Sequence, residues 1–432
     1  MRRTVPLSLA LAVALTTGLS ACGGGDSGTA GGAGGGGSKT LRVTLANHPW
    51  TDTIKKSLPD FEKESGLKVE VNQLAEDQLS DQYNVKLNAG TDEIDVMMYR
   101  PLQEGKLFAK NKYLAALPDS LKNDADWDFK DFQKGPADAV TYNGKVVGAP
   151  IITEREVLYY RKDLLTKSGL TVPTTLDELQ TAAAKLKADN PGVAGFVART
   201  GKSAAVTQFS SFLFSFGGDF DADGKATLDT DQAKKAYSMY GGLIKNSGPA
   251  NVSTDMSWQQ AMAIFTQGQA ALYTEADSLY KNATDPAKSK VADTVGFAVF
   301  PAGPAGSKPY NIPSWALGVN AASKNGDNAW KFIKWATSKA MVATMQKAGN
   351  PGPRESVWAS ADGISTYPKD LAEAIKKSAA GGVGHDRPLV VRVAKAREIV
   401  GQPIVDAITG ADVAASVKKA QDAYSAFLAE DK

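Results

Sequence analysis

Short apolar runs alternate with helical patterns along most of the chain, and this alternation limits the folds open to it more than any other feature. Residues Leu41–Ala46 alternate in polarity like a strand, and a pattern with helical spacing follows until Gly66. Lys68–Asn72 and Ile94–Met98 predict two further strands with another helical pattern between them. Strands that alternate with helices predict a mainly parallel sheet with helices on both faces, which is an α/β fold.

A second set of strands and helices follows in the middle of the chain. The sequence Thr175-Leu176-Asp177-Glu178 is a capping box and predicts the start of a helix that runs to Lys187. Because the chain has 432 residues and domains hold roughly 100–200 each, two domains are expected. The strands predicted for the second set are Val157–Tyr160, Ala194–Ala198, Ala270–Thr274, Val295–Val299 and Trp315–Val319.

The N-terminal segment combines two arginines, an apolar stretch and the only cysteine of the chain. Arg2 and Arg3 precede an apolar run from Val5 to Leu19, which has the length of a signal-peptide core and is short for a membrane span. Leu19-Ser20-Ala21-Cys22 resembles a bacterial lipobox. Residues 1–21 are therefore predicted to be a lipoprotein signal peptide, with Cys22 as the lipidated residue. The alternative is an ordinary secretory signal that contains a cysteine.

Composition narrows the function classes further. Residues 22–38 are almost entirely glycine and small polar residues and predict a flexible tether between the lipid anchor and the folded part. Removing residues 1–21 lowers Lys plus Arg from 49 to 47, which equals the 47 Asp plus Glu, so the mature chain is formally neutral. This balance argues against nucleic acid as a partner. Because Cys22 is the only cysteine, disulfides within the chain and thiolate metal sites are excluded.

Several segments after the tether stand in an order that resembles a known family. No single motif is decisive, but the ordered set resembles the family 1 extracellular solute-binding proteins of ABC importers, which include maltose-binding protein. Asp95–Glu104, Thr153–Glu156 and Asn311–Trp315 look most like members that handle polyols or small sugars. The segments that carry the family resemblance are Asn143–Lys145, Gly148–Pro150, Leu158–Leu164, Gly169, Pro173–Leu179, Phe265–Leu272, Trp315–Asn320, Ser323–Asn325 and Ala329–Ile333.

The resemblance implies a two-lobe, periplasmic-binding-protein-like fold of type II. Each lobe is expected to be a mixed, mainly parallel sheet flanked by helices, with ligand enclosed between the lobes. Chain crossings are expected near Ile152–Glu154, near Tyr310–Pro313 and after Ala374. Lobe 1 would then comprise residues 39–152 plus 313–375, and lobe 2 residues 153–312 plus 376–432. The implied function is capture of a sugar or polyol for an ABC permease by a lipid-anchored monomer on the outer face of the cell membrane, with no enzymatic activity and no cofactor.

The chemistry of a sugar indicates which residues of such a cleft would bind it. Hydroxyls are recognised by carboxylates and guanidinium groups, and aromatic rings cover the apolar C–H faces. Such side chains should follow strand ends at the cleft. In the family, the first crossing commonly supplies a carboxylate, here Glu154. The candidate ligand-binding residues are Asn47, Trp50, Tyr99, Arg100, Glu154, Trp258, Glu275, Asp277, Trp315, Arg354 and Arg387.

Structural roles are the alternatives for these residues. The tryptophans would then pack in the core, as we expect for Trp330 and Trp335, and Glu154 would form a hinge ion pair. His48 and His385 are expected to be incidental polar groups.

Two other functional classes are also open. A glycosidase would need a pair of carboxylates, for which Glu154 and Glu275 are the candidates. A metal-binding protein is suggested by Tyr159-Tyr160, although adjacent strand residues point to opposite faces and favour core packing. Asp219–Gly224 imitates the start of an EF-hand loop, but Thr230 stands at the twelfth position, so a hairpin is expected. A binding protein of the same fold for an amino acid or another small solute is the remaining alternative.

Overall fold

A computed structural model describes residues 38–431 of the chain. The predicted signal peptide, Cys22 and the tether up to Gly37 lie outside the described residues. No helix within residues 38–431 is both long enough and apolar enough to cross a membrane.

Most strands of the structure coincide with apolar runs of the sequence. They are β1 Thr40–Ala46, β2 Lys68–Leu74, β3 Val96–Tyr99, β4 Thr141–Tyr142, β5 Lys145–Val146, β6 Ala149–Arg161, β7 Ala194–Val197, β8 Asp221–Ala222, β9 Lys225–Ala226, β10 Ala270–Ala276, β11 Val295–Val299 and β12 Asn311–Val319.

Helices connect these strands and form most of the C-terminal part. They are α1 Pro49–Ser65, α2 Glu76–Asn88, α3 Lys106–Lys110, α4 Asp119–Lys122, α5 Lys134–Ala139, α6 Lys162–Lys167, α7 Leu176–Asp189, α8 Ala205–Ser215, α9 Asp231–Ser247, α10 Trp258–Thr266, α11 Tyr280–Thr284, α12 Gly326–Ala336, α13 Lys339–Lys347, α14 Glu355–Ala359, α15 Ala361–Ile364, α16 Lys369–Gly381, α17 Val393–Thr409 and α18 Val413–Glu430. A π-helical turn, Pro101–Gly105, and 3₁₀ turns at Phe129–Asp131 and Asp277–Leu279 complete the set.

The main strands form one mixed sheet in the order β2-β1-β3-β12-β6-β10-β7, with β11 also paired to β6. The pairs β1–β2, β1–β3 and β7–β10 are parallel, as the strand–helix alternation predicted. The long strands β6 and β12 pair antiparallel with their neighbours. The chain is therefore an α/β protein with a mixed sheet flanked by helices.

Local signals of the sequence are reproduced at several helix and turn positions. At the start of α7, the Glu178 amide donates to Thr175 Oγ1 at 3.2 Å, as expected of a capping box. Strands β8 and β9 form a hairpin whose turn residues, Asp223 and Gly224, both have positive φ. This confirms the hairpin interpretation of Asp219–Gly224.

The buried apolar residues of the fold form three separate clusters. The first contains residues from Leu41 to Ile152 and from Trp315 to Met345. The second and third lie on opposite faces of the sheet formed by β6, β7, β10 and β11, because Leu158 belongs to the second cluster and Val157 to the third. We call the elements around the first cluster lobe 1 and those around the other two lobe 2.

Strands β6 and β12 carry the chain between the lobes. Strand β6 runs from the first core at Ala149–Ile152 into the cores of lobe 2, and β12 returns beside it. Glu154 of β6 pairs with Ile312 of β12, and Thr153 pairs with Pro313. These paired residues form the hinge between the lobes.

The third crossing lies earlier in the chain than we predicted. The Thr153 amide donates to the Pro351 carbonyl at 3.0 Å, so residues near 351 already run beside the hinge. Helix α16 then packs in the third core through Leu371 and Ile375, and Asp370 Oδ2 accepts from the Phe297 amide of β11 at 3.1 Å. The chain therefore enters lobe 2 before residue 367 and not after Ala374, and the end of the range 313–375 belongs to lobe 2.

Candidate functional site

The candidate site lies between the lobes, above the hinge formed by β6 and β12. Polar side chains reach it from beyond the carboxyl ends of β1, β3, β7 and β10, where open α/β sheets place their ligands. The lobes touch each other here. Trp258 Nε1 of lobe 2 donates to Glu76 Oε1 of lobe 1 at 3.2 Å. Gln103 Oε1 of lobe 1 accepts from Arg387 Nη1 at 2.7 Å and from Arg397 Nη1 at 3.1 Å, both in lobe 2.

Arg100, which follows β3, is held by two carboxylates of lobe 1. Its Nη1 donates to Glu76 Oε2 at 3.1 Å, and its Nε donates to Glu104 Oε1 at 3.0 Å. The guanidinium lies 5.6 Å from the centre of the Trp315 ring. Burial opposes the ionisation of Glu76, but Arg100 and the Trp258 N–H outweigh it and lower the pKa of Glu76. The result is a fixed guanidinium at the lobe 1 wall of the cleft.

Arg199, which follows β7, occupies the corresponding position in lobe 2. Its Nε and Nη2 donate to the two oxygens of Glu275 at 3.0 and 2.5 Å. The Glu275 carboxylate is wholly buried and also accepts from Tyr273 Oη at 2.7 Å and from Gln208 Nε2 at 3.1 Å. Glu275 therefore orients Arg199. Because both oxygens of Glu275 are already bonded, this carboxylate is poorly suited to the acid–base pair with Glu154 that a glycosidase would need.

Arg199 was missed by the sequence analysis although a signal for it existed. It stands one residue after the predicted strand Ala194–Ala198, and the rule that places ligand-binding residues beyond strand ends applies to it. Glu76, Gln103 and Arg397 were also missed. They sit on helical turns, where neighbours in sequence give no indication that they face the opposite lobe.

Glu154 lies at the hinge, at the floor of the cleft. Ser278 Oγ donates to its Oε1 at 2.6 Å. Burial raises the pKa of Glu154 to about 7, and the carboxylates of Asp277 and Glu275 add to this rise while Ser278 and Arg199 oppose it. Asp277 itself does not face the cleft as a free carboxylate, because Arg155 Nε donates to its Oδ2 at 2.7 Å.

Three of the predicted site residues are not brought to the cleft. Trp50 and Tyr99 are enclosed in the first core, with 1% and 0% of their surfaces exposed. Arg354 is also completely buried, and its guanidinium donates to the carbonyls of Thr337 at 2.7 Å and Trp127 at 2.8 Å. These three side chains stabilise lobe 1.

Asn47 and Trp315 differ in their exposure. Asn47 is exposed after β1, and its amide donates to the Leu74 carbonyl at 2.7 Å. Trp315 is nearly buried under Arg100 and next to His48, whose ring centre lies 6.1 Å away. His48 Nδ1 accepts from the Trp50 amide at 3.1 Å and caps α1, and burial lowers the pKa of His48 to about 4.

A metal site finds no support in the described part of the chain. Among residues 38–431 no group of three or more His, Cys, Asp or Glu side chains is arranged to hold an ion. Tyr159 packs in the third core and Tyr160 against the second, so they face opposite sides of the sheet as expected of core residues.

Several known proteins are similar to this chain in sequence or in structure. The sequence profile of the family described as bacterial extracellular solute-binding protein matches residues 47–343. The mannitol-binding protein of Pseudomonas aeruginosa is 30% identical over 247 residues, which are 55% of this chain and 56% of that protein. The match therefore spans little more than half the length of this relative.

Two crystal structures with bound polyols superpose over nearly their full length. The solute-binding protein of an ABC transporter from Agrobacterium radiobacter K84, in complex with ribitol, has a TM-score of 0.80 at 27% identity; the superposition covers 90% of this chain and 98% of that one. A solute-binding protein from Agrobacterium vitis S4 with bound D-mannitol has a TM-score of 0.79 at 28% identity, with 90% and 98% covered.

The hinged lobes and the facing polar side chains define a two-lobe binding protein of the periplasmic-binding-protein type. The chain belongs to the bacterial extracellular solute-binding protein family. The family resemblance noted in the ordered motifs is thereby confirmed, and so is the predicted fold class.

Proposed function

We propose that this protein is the solute-binding component of an ABC importer and captures a sugar or sugar alcohol between its lobes. One observation carries the proposal: two guanidinium groups, Arg100 and Arg199, are each fixed by carboxylates of their own lobe, and the charge of Arg199 reaches across to Glu76, the partner of Arg100. The N–H groups that a fixed guanidinium keeps free can donate to hydroxyl oxygens with little loss of side-chain freedom. The ribitol and mannitol complexes of the similar proteins support the same ligand class.

Partner and location follow from the same proposal. The closed arrangement of the lobes would be recognised by the transmembrane subunits of a permease, and the protein would act as a monomer without a cofactor or catalytic activity. Cys22 would carry the lipid that anchors it to the outer face of the cell membrane. The family match supports a position outside the cytoplasm.

Thermal unfolding in the presence of candidate ligands tests the proposal. A ligand that binds only the folded state stabilises it by about 2.7 kcal/mol at a hundredfold excess over its dissociation constant. We expect the melting temperature to rise with a polyol or sugar such as ribitol, mannitol or maltose, and to stay constant with amino acids or divalent metal ions. A rise with an amino acid or a metal alone would contradict the ligand class.

A pair of arginine variants shows whether the cleft is responsible. Arg199→Ala should abolish the rise in melting temperature, because the lobe 2 guanidinium is lost. Arg161→Ala is the matched control: this guanidinium also pairs with a carboxylate, Asp163, at 2.8 Å, but at the end of β6 away from the hinge. The control variant should retain the full response to ligand. An equal loss of the response in both variants would remove the cleft from the proposal.

A further inference from the structure

The aromatic rings near the cleft are covered by other side chains. The chain has seven tryptophans, and four of them, Trp50, Trp127, Trp330 and Trp335, pack within lobe 1. Trp315 is only 4% exposed, with Arg100 over its ring and His48 beside it. No flat, open tryptophan face is therefore presented to the cleft by lobe 1.

The tryptophan rings at the hinge and in lobe 2 are also covered by other side chains. The guanidinium of Arg155 lies 5.3 Å from the centre of the Trp358 ring, and the ring of Tyr367 lies 5.8 Å away on a tilted plane. Trp258 packs against the third core and reaches the cleft with its polar edge, since its Nε1 donates to Glu76. Thus the indole that does reach the cleft does so with its N–H edge, and that N–H is already bonded to Glu76.

Polar groups, in contrast, converge on the cleft from several directions. Arg100 and Arg199 supply fixed donors from the two walls, and Glu154 supplies a carboxyl group from the floor. The Tyr310 hydroxyl is buried and has no hydrogen-bond partner among residues 38–431; burial and then the carboxylates of Glu275 and Glu156 raise the pKa of Tyr310. A buried hydroxyl without a partner indicates a position where a ligand hydroxyl would complete the bonding.

We propose that the cleft is built for an open-chain polyol and discriminates against pyranose rings. This inference rests on the proposed function and names its ligand class. A pyranose has apolar C–H faces that proteins cover with an open aromatic ring. An open-chain polyol carries a hydroxyl on every carbon and can meet donors and acceptors on both walls and on the floor of a cleft. The covered rings and the facing polar groups fit the second ligand.

Calorimetric titration with pairs of compounds that differ in ring closure tests the inference. Mannitol is compared with mannose, ribitol with ribose, and maltose is included as a ligand with two pyranose rings. We expect mannitol or ribitol to bind at least about 100-fold more tightly than its cyclic counterpart, because the ring has one hydroxyl fewer and holds the others in a fixed arrangement that cannot adapt to both walls and the floor. Equal or tighter binding of mannose or maltose would overturn the inference and leave the proposed function standing. Binding of none of these compounds would overturn both.

Two substitutions of Trp258 separate an edge contact from stacking. Trp258→Phe keeps an aromatic face but loses the N–H group that donates to Glu76, and Trp258→Ala loses both. If the edge is what matters, the two variants should have mannitol affinities within about threefold of each other. If Trp258→Phe binds mannitol as the wild type does while Trp258→Ala loses about tenfold, the ring face contacts ligand and the inference is refuted. Circular dichroism of both variants controls for folding.

Discussion

At the scale of single residues, Glu154 combines a position at the hinge with an unusual acidity. Its pKa rises from the ordinary 4.5 to about 7, first because of burial and then because Asp277 and Glu275 lie nearby. Because the pKa is raised by folding, protonated Glu154 favours the folded state. The stabilisation is complete below pH 4.5 and is lost as the pH rises through 7.

Glu154→Gln isolates this effect, since glutamine stays neutral at every pH. We expect the melting temperatures of the variant and the wild type to be similar near pH 5. At pH 8 the variant should be more stable by roughly 1–3 kcal/mol, because only the wild type must then keep a partly buried charge. The measurement is thermal unfolding of both proteins from pH 5 to pH 8 without ligand. Parallel pH profiles would show that Glu154 does not titrate in this range.

At the scale of elements, the contact between α9 and α17 positions part of the cleft, because α17 carries Arg397. The helices approach closely at Gly241 of α9. A Cβ atom at this position would lie 2.3 Å from the Ala407 Cβ and 2.8 Å from the Ala407 carbonyl carbon. At the next residue, Gly242, the nearest atom would be 3.9 Å away, in Asn246. Glycine is thus required at the first position and not at the second.

Alanine substitutions at the two neighbouring glycines should have opposite effects. Gly241→Ala forces the helices apart and should lower the free energy of unfolding by about 1–3 kcal/mol. Gly242→Ala should leave stability unchanged or raise it by up to about 1 kcal/mol, because alanine favours helix over glycine. Chemical denaturation of both variants provides the comparison. Similar destabilisation by both would show that the close approach at Gly241 is not the cause.

At the scale of the whole molecule, direct bonds join the lobes across the cleft. Gln103 bonds to two arginines of lobe 2, Trp258 bonds to Glu76, and Lys106 Nζ donates to the Leu389 carbonyl at 2.5 Å. These bonds exist only when the lobes are together. They therefore bias the open–closed equilibrium, which a ligand shifts by its preference for the closed form.

Gln103→Ala removes the bonds to both arginines and should open the lobes. We expect a larger radius of gyration in small-angle X-ray scattering without ligand, and a return to the wild-type value with saturating polyol. Affinity for the polyol should fall about 3- to 10-fold, since part of the binding energy now closes the lobes. Gln82→Ala is the control, because Gln82 Oε1 accepts from Asn72 within lobe 1 at 3.2 Å. If Gln103→Ala scatters like the wild type, the bridge does not influence closure.

Local sequence patterns, such as alternating polarity and helix-capping residues, predicted much of this fold. Strands β1, β2 and β3 and the start of α7 follow from alternation and capping, which depend on neighbours in sequence. The crossings near Ile152–Glu154 and Tyr310–Pro313 were expected from the family resemblance, because no local pattern contains them. The third crossing was misplaced, because the packing of α16 on β11 joins residues far apart in the chain.

The candidate site was less predictable than the fold. The strand-end rule selected Arg100, which lies between the lobes, but it also selected Tyr99, whose side chain points into the core. Arg354 stands in a loop-like sequence, yet its partners Thr337 and Trp127 come from other parts of lobe 1 and enclose it. Whether a side chain turns to the core or to the cleft depends on such long-range neighbours.

The position of β12 in the sheet bears on how the molecule is made. This strand lies between β3 and β6 in the sheet. In the sequence, however, β7, β10 and β11 of lobe 2 come between β6 and β12. As the ribosome extends the chain, β3 can pair with β1 early. Its other edge stays unpaired until the end of β12, at Val319, has emerged. The second core is completed later still, because it includes residues of α17 and α18 at the end of the chain. The core of the lobe synthesised first is therefore completed only after β12 and the residues up to Met345 have been made, and the second core only at the end of the chain.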